Sequence, residues 1–340
     1  MRLVIISIKF YVALMLLWCS ASVGAETQDP ILDRREVQAL LKKIQTAAQQ
    51  LNYSGTFVYQ QASRMRTSRI THLKDGRNEI AKLEILDGKP REYIRINEEI
   101  TCYLPEIKTI QIEKRESLDV FPAILAIGHE QLAEQYSIRK DSGGRVAGFE
   151  CDGVTLEPRD NLRYGYRLWA DKSTGLLLKA QTLNERNEVV EQIAFTQLSI
   201  GDIDRIRAKP SFGNISGWHV ENAMTSQISS SGWTVQWVPP GFKKIRELRR
   251  VVSDASNKAA ASSKHEDTHR EINQIVFSDG LAAISVFIEP NSANHTDGSS
   301  QQGAMNITGK RQGDYWLTIV GEVPAVAIKK VAGSIEFKPK

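Results

Sequence analysis

The sequence has no long apolar run, no excess of one charge and few cysteines, and each shortage removes a class of protein. No stretch approaches the roughly 20 consecutive apolar residues that cross a bilayer as a helix, which excludes a polytopic membrane protein. The 340 residues carry 44 Lys+Arg against 40 Asp+Glu, a net charge of +4, and no basic block stands alone. Phosphate-tracking surfaces concentrate positive charge, so a nucleic-acid partner is not expected. There are only 3 cysteines and no C-x-x-C pair. A Gly-rich phosphate loop and a G-x-S-x-G segment are also missing. What is present is ordinary globular material, 41% apolar and 25% charged, too hydrophobic for a disordered chain and without a collagen repeat.

The first 25 residues read as an export leader. Arg2 and Lys9 flank an apolar start, Phe10 to Trp18 is uninterrupted, and Val23-Gly24-Ala25 offers the small residues a signal peptidase needs. That run is too short to span a bilayer, so cleavage near Ala25 is expected and not anchoring. Trp18 stands before Cys19 where a lipidated cysteine needs a small residue. Removing Arg2 and Lys9 with the leader leaves 42 basic against 40 acidic groups over 315 residues. An exported, soluble, nearly neutral protein of two domains follows.

An amphipathic helix opens the mature chain. Val37, Leu40, Leu41, Ile44, Ala48 and Leu51 share one face, and Asp33 with Glu36 three residues on forms a capping-box start. The period then changes from helical to strand-like, with alternation at Tyr93–Ile96, Ile110–Ile112 and Leu162–Leu168 and turns at Asp75-Gly76, Asp87-Gly88 and Asn97-Glu98-Glu99. Two short helices are expected over 122–127 and 130–136. Two hairpins follow, turning at 171–175 and 184–187. Successive antiparallel strands with few helices cannot make a parallel sheet, whose crossovers need a dozen or more residues each. The expected fold is α+β: residues 26–200 as a large, curved, unclosed antiparallel sheet with helices on one face, residues 201–231 as a linker, and residues 232–340 as a smaller α+β domain. In the second domain, 253–270 reads as a polar, mobile insert, 275–288 as a hairpin, 315–320 as a strand, and Pro324 as the start of a helix running to Val331, before a last strand over 334–337.

Two motifs suggest chemistry and fail on context. His265-Glu266-Asp267-Thr268-His269 fits the zinc-protease spacing, in which two histidines one helical turn apart hold the metal. Its flanks are polar, and only His295 offers itself as a third ligand, so no metal site is assigned. Asp141-Ser142-Gly143-Gly144 is like the nucleophile segment of chymotrypsin-like proteases but reads better as a polar hairpin turn. No catalytic residue and no cofactor are assigned. Cys102 and Cys151 fall on strands of the first domain, and either a disulfide or two buried free thiols is compatible with their spacing. The aromatic residues are more suggestive. Tyr164, Tyr166 and Trp169 share a hairpin with Arg163 and Arg167, and Trp233 and Trp237 open the second domain. On a concave face such residues can line a groove for an acyl chain or an extended peptide, and elsewhere they are core.

Several segments resemble the MucB/RseB family of periplasmic sigma-factor regulators. These are Leu51-Asn52-Tyr53-Ser54-Gly55-Thr56-Phe57-Val58-Tyr59, Trp169-Ala170-Asp171-Lys172-Ser173-Thr174-Gly175-Leu176, Trp237-Val238-Pro239-Pro240-Gly241-Phe242, Phe277-Ser278-Asp279-Gly280-Leu281 and Thr318-Ile319-Val320-Gly321-Glu322-Val323-Pro324. They occur in order across nearly all of the mature chain. The resemblance implies a LolA/LolB-like unclosed barrel for the first domain and a binding role without chemistry. The implied partner is the periplasmic part of an RseA- or MucA-like membrane anti-sigma factor, shielded from regulated proteolysis until a lipid, lipopolysaccharide or lipoprotein signal releases it. The competing reading is a periplasmic lipid or lipoprotein carrier. Oligomeric state is left open, a homo-oligomer included.

Overall fold

The computed structural model describes residues 31–114, 132–222, 225–228, 230–253, 269–291 and 295–338. The leader, the first of the two short helices and most of the polar insert lie outside these residues. Helix α1 (Arg34–Gln50) starts where the capping box places it: Asp33 Oδ1 accepts from the amides of Arg35 and Glu36, each at 2.8 Å, and Asp33 N donates to Glu36 Oε2 at 3.0 Å. Val37, Leu41, Ile44, Ala47 and Ala48 are its buried face. The three larger of these contribute about 2 kcal/mol apiece before entropic costs.

Strands β1 (Tyr53–Gln61), β2 (Arg64–Asp75), β3 (Asn78–Ile85), β4 (Arg91–Ile96), β5 (Glu99–Leu104) and β6 (Thr109–Lys114) form one meander. A second runs through β7 (Tyr136–Val146), β8 (Phe149–Pro158), β9 (Gly165–Asp171), β10 (Leu177–Leu183) and β11 (Val189–Ile200). β1 pairs with β11 and joins them into a 12-stranded sheet whose edges are β7 and β12 (His219–Asn222), so it is unclosed. One end is rolled: β7 returns to within 8 Å of β11, although three strands separate them in the order. Register shifts at Thr56/Phe57, Leu177/Lys179 and Asp141/Gly144 supply bulges, which bend and twist strands. α1 packs against this end, where Val37, Leu41 and Ile44 meet Leu132, Tyr136, Ile138, Leu156, Tyr166 and Leu168.

The remaining strands are β13 (Thr225–Gln227), β14 (Trp233–Val235), β15 (Lys243–Ser253), β16 (His269–Ser278), β17 (Ala283–Pro290), β18 (Gly298–Gln302), β19 (Met305–Gln312), β20 (Tyr315–Gly321) and β21 (Ile335–Phe337). Seven of them make an antiparallel sheet in the order β13-β15-β16-β17-β20-β19-β18, while β14 pairs with β21. Two further helices are described, α2 (Leu132–Gln135) in the first part and α3 (Ala325–Gly333) against the second sheet, with Pro324 at the N-cap of α3.

Several expectations are corrected. The first sheet is antiparallel except for β12, which pairs parallel with β6. Residues 201–231 carry structure. A 3-10 turn at Arg205–Ala208 lies over the outer face of the first sheet, with Ile203 and Ala208 on Leu73 and Phe212 and Trp218 beside Tyr103, while β12 extends that sheet at the edge of β6 and β13 already belongs to the second sheet. Asp141-Ser142-Gly143-Gly144 is a bulge inside β7 and not a turn. The turn comes later at Ala147-Gly148, both with positive φ (49° and 90°), as a two-residue hairpin demands. A Cβ on Gly143 would run into the carbonyl oxygen of Cys151, so the bulge needs glycine there. The expected insert over 253–270 is shorter at its ends, because Ser253 closes β15 and His269-Arg270 opens β16. His269 is therefore a strand residue, which the helical metal motif does not allow; His265 to Thr268 lie outside the described residues.

Candidate binding surfaces

The six candidate residues, read either as a groove lining or as core, are divided among different environments. Along β9 the side chains alternate, so Tyr166 and Leu168 enter the rolled core while Arg167 and Trp169 face the other way. Tyr166 is 3% exposed, its hydroxyl has no hydrogen-bond partner, and burial pushes that phenol far up. Arg167 lies 3.7 Å from Asp141, and Lys179 Nζ sits 4.3 Å above the Trp169 ring. Burial, with Arg167 close by, lowers the Lys179 ammonium. Tyr164 precedes β9 and accepts from Asn306 Nδ2 on β19 at 3.0 Å, so it bridges the two sheets. Trp233 is core, packed on Tyr315 and Phe337 at ring distances of 5.2 and 4.9 Å, and Trp237 lies under Lys330 at 5.4 Å. Only Arg167 and Trp169 make a common surface.

Cys102 and Cys151 do not pair. Cys102 is on β5 and Cys151 on β8, seven strands intervene in the sheet order, and both thiols are free. A disulfide needs the Cα atoms within about 7 Å. Burial raises both thiols.

Arg163, which the sequence sets beside this aromatic hairpin, serves a different place, the joint between the sheets. Its side chain is fully buried, yet it reaches across to the second sheet. Nη1 donates to Asp279 Oδ2 at 2.8 Å, Nη2 donates to the Pro240 carbonyl at 2.6 Å, and Nε donates to Asp160 Oδ1 at 3.1 Å. The guanidinium is flanked by the Tyr136 and Phe242 rings, both 5.7 Å from it. Asp279 itself caps the β16–β17 turn by accepting from the amides of Leu281 and Ala282. A second tie lies beside it, where Glu191 Oε1 accepts from Gln61 Nε2 at 2.7 Å and from Ala304 N at 2.8 Å. Near Glu191, the Glu322 carboxyl is pushed up by desolvation and by that charge. The two sheets are thus joined by desolvated, multiply bonded charges, which hold a geometry more strictly than apolar contact does.

On the outer face, a polar cleft of about 770 Å³ opens between β1, β2, β3, β11 and residues 206–211. Lys82 lies on its floor, 3% exposed, donating to the Lys209 carbonyl at 2.8 Å and Ser211 Oγ at 2.7 Å, with Glu84 and Glu92 at 3.4 and 3.3 Å. Arg69, Arg207 and Lys209 stand around it. These cations come from three distant stretches of chain, so no local charge run announces them. The arrangement suits an anionic, hydrogen-bonding group and not an acyl chain. Among the described residues, no group of three His, Cys, Asp or Glu is placed to hold a metal ion.

An unclosed sheet rolled around one helix, tied through buried charges to a smaller α+β sheet, defines a two-part binding architecture. The N-terminal domain model of the MucB/RseB family matches residues 36–213 and its C-terminal domain model matches residues 227–336, so the chain belongs to the MucB/RseB family. Among curated relatives, it is 25% identical over 301 residues to the Sigma-E factor regulatory protein RseB of Haemophilus influenzae, covering 88% of this chain and 90% of that one. It is 29% identical over 322 residues to the Sigma factor AlgU regulatory protein MucB of Pseudomonas aeruginosa, covering 92% and 95%. A crystal structure of MucB in complex with MucA(peri) superposes with a TM-score of 0.67 at 27% identity, over 89% of this chain and all of that one.

Proposed function

We propose that this protein is an exported negative regulator that binds the periplasmic region of a MucA- or RseA-like anti-sigma factor. By covering that region it keeps regulated proteolysis away and so restrains an extracytoplasmic stress sigma factor. The observation that carries this reading is the match to MucB over its whole length, in fold as well as sequence, that MucB being seated on MucA(peri). Residues 26–200 and 232–340 act as two domains, with 201–231 as a strap between them. The charged joint around Arg163 gives both a fixed relative position, and a fixed surface loses less entropy when it grips an extended segment. Release is linkage: an envelope lipid or lipoprotein that binds the free form more tightly weakens the hold on the anti-sigma segment by the same factor. Binding and occlusion suffice, and no turnover is required.

The carrier reading needs room for an acyl chain in the rolled end of the first sheet. Val37, Leu41 and Ile44 of α1 pack into that end, which favours the regulator. The decisive experiment is protease protection. With this protein added in excess, a tethered anti-sigma periplasmic fragment should resist its site-1 protease. A fragment cut as fast as before, or a protein that retains acylated cargo but not the fragment, refutes the proposal.

A further inference from the structure

The β1–β2, β3–β4 and β5–β6 turns all fall on one rim of the first sheet, because antiparallel neighbours turn back at alternate ends. Side chains and backbone tie them together. Thr67 N donates to Asp87 Oδ2 at 2.5 Å and Leu86 N to the Thr67 carbonyl at 3.0 Å, fixing the second turn to the first hairpin. Lys89 Nζ lies 2.8 Å from Glu106 Oε2, fixing the second turn to the third. At two strand spacings each, neighbouring tips are about 10 Å apart.

One large apolar side chain in or next to each turn faces solvent on this rim: Met65, at the start of β2, is 64% exposed, Leu86 42% and Ile107 66%. Single exposed apolar residues need no explanation, but three on consecutive turns of one rim do. The exposed cations Arg64, Arg66, Lys89, Arg91 and Lys108 surround them against Asp87 and Glu106, and the neighbouring β10–β11 turn on the same rim adds Glu185, Arg186 and Glu188, a balance of +2. The opposite rim has a different character. It carries Asp75, Arg77, Glu98 and Glu99 with one exposed large apolar residue, Ile96 at 48%.

We propose that the Met65–Leu86–Ile107 rim docks the protein on an anionic phospholipid surface. The three apolar tips enter the boundary between headgroups and acyl chains, and Arg64, Arg66, Arg91 and Lys108 meet lipid phosphates. Separate projecting tips with cations on long stems suit a deformable, negatively charged plane. A protein partner instead rewards residues packed into a shared desolvated pocket, which this rim lacks. The docking is independent of anti-sigma binding and sets which end of the first sheet faces the membrane.

The test is cosedimentation of the chain from Glu26 onward with vesicles of phosphatidylcholine alone or mixed with phosphatidylglycerol. A balance of +2 should favour the anionic vesicles by about 30-fold at low salt, with most of that preference lost in about 0.5 M salt. Met65→Ser, Leu86→Ser and Ile107→Ser combined should weaken anionic-vesicle binding at least about tenfold. Ile96→Ser on the far rim should leave it unchanged, and matching circular dichroism and melting curves show that both variants are folded. No retention on anionic vesicles, equal retention on neutral ones, or a triple variant that binds like the parent would overturn the proposal. So would a triple variant that loses only the anti-sigma fragment, because the rim would then be a protein interface.

Discussion

Replacing Arg163 by Met tests whether the joint between the sheets is held by charge. Methionine keeps most of the unbranched stem between the Tyr136 and Phe242 rings, so packing is largely preserved while every donor disappears. Asp279 is then left 1% exposed with no cation beside it, and the Pro240 carbonyl loses its donor at 2.6 Å. Stranding a buried charge costs about 3–5 kcal/mol. Two backbone amides still reach Asp279 Oδ1, which places the expected loss near the lower limit, about 3 kcal/mol. Asp279→Asn keeps an oxygen for those amides but removes the charge, and should cost about 2 kcal/mol. The informative quantity is the double variant. Each single change breaks the same bond, so the double should cost less than the sum of the two, with a coupling of about 1.5–3 kcal/mol. Urea unfolding followed by tryptophan fluorescence measures all four proteins. The Met variant should also show two transitions where the parent shows one, because the second sheet loses its fixed seat on the first. A loss below about 1 kcal/mol for Arg163→Met, or additive single changes, would refute the idea that this ion cluster fixes the joint.

Three further outcomes follow from other parts of the fold. Burial alone would raise the Glu79 carboxyl, but hydrogen bonds and charge from His72 and Arg95 hold it down to about 2, against an ordinary 4.5. Its stabilising contribution, at most about 3 kcal/mol, should be complete above pH 4.5 and fade as pH falls toward 2; Glu79→Gln should flatten that limb in acid-unfolding curves. Gly55→Ala should destabilise by about 2–3 kcal/mol in the same urea assay, since a Cβ there would meet the Gln197 carbonyl at 2.5 Å and the Phe195 ring at 2.8 Å. Titration of the unreduced, denatured chain from Glu26 onward should find both Cys102 and Cys151 as thiols; fewer would mean the two pair after all.

What could be read in the sequence was local, and what could not was decided by partners far along the chain. Asp33 and Glu36 announce the start of α1, and the period at Val37, Leu41 and Ile44 announces its buried face, because both depend on residues within two turns. Asp75-Gly76 and Ser278-Asp279-Gly280 mark hairpins for the same reason. β12 has no such mark: His219-Val220-Glu221-Asn222 becomes a strand because the strap laid over β2–β6 brings it beside the edge of β6, more than 100 residues earlier. The cleft around Lys82 is hidden in the same way until that strap carries Arg207 and Lys209 to Arg69. The aromatic candidates do not share one groove for a simpler reason. Residues 166 and 169 are separated by an odd number of positions on one strand, so a period of two had already placed Tyr166 and Trp169 on opposite faces, where no single groove can use both. Arg163 is the harder case. Between Leu162 and Tyr164 it looks like the exposed partner of two core residues, and only Asp279, 116 positions away, turns it inward. A buried arginine carries no periodic signature because its cost is offset by an acid whose position belongs to the tertiary fold, so sites built from such pairs become legible only once the sheets are placed against each other.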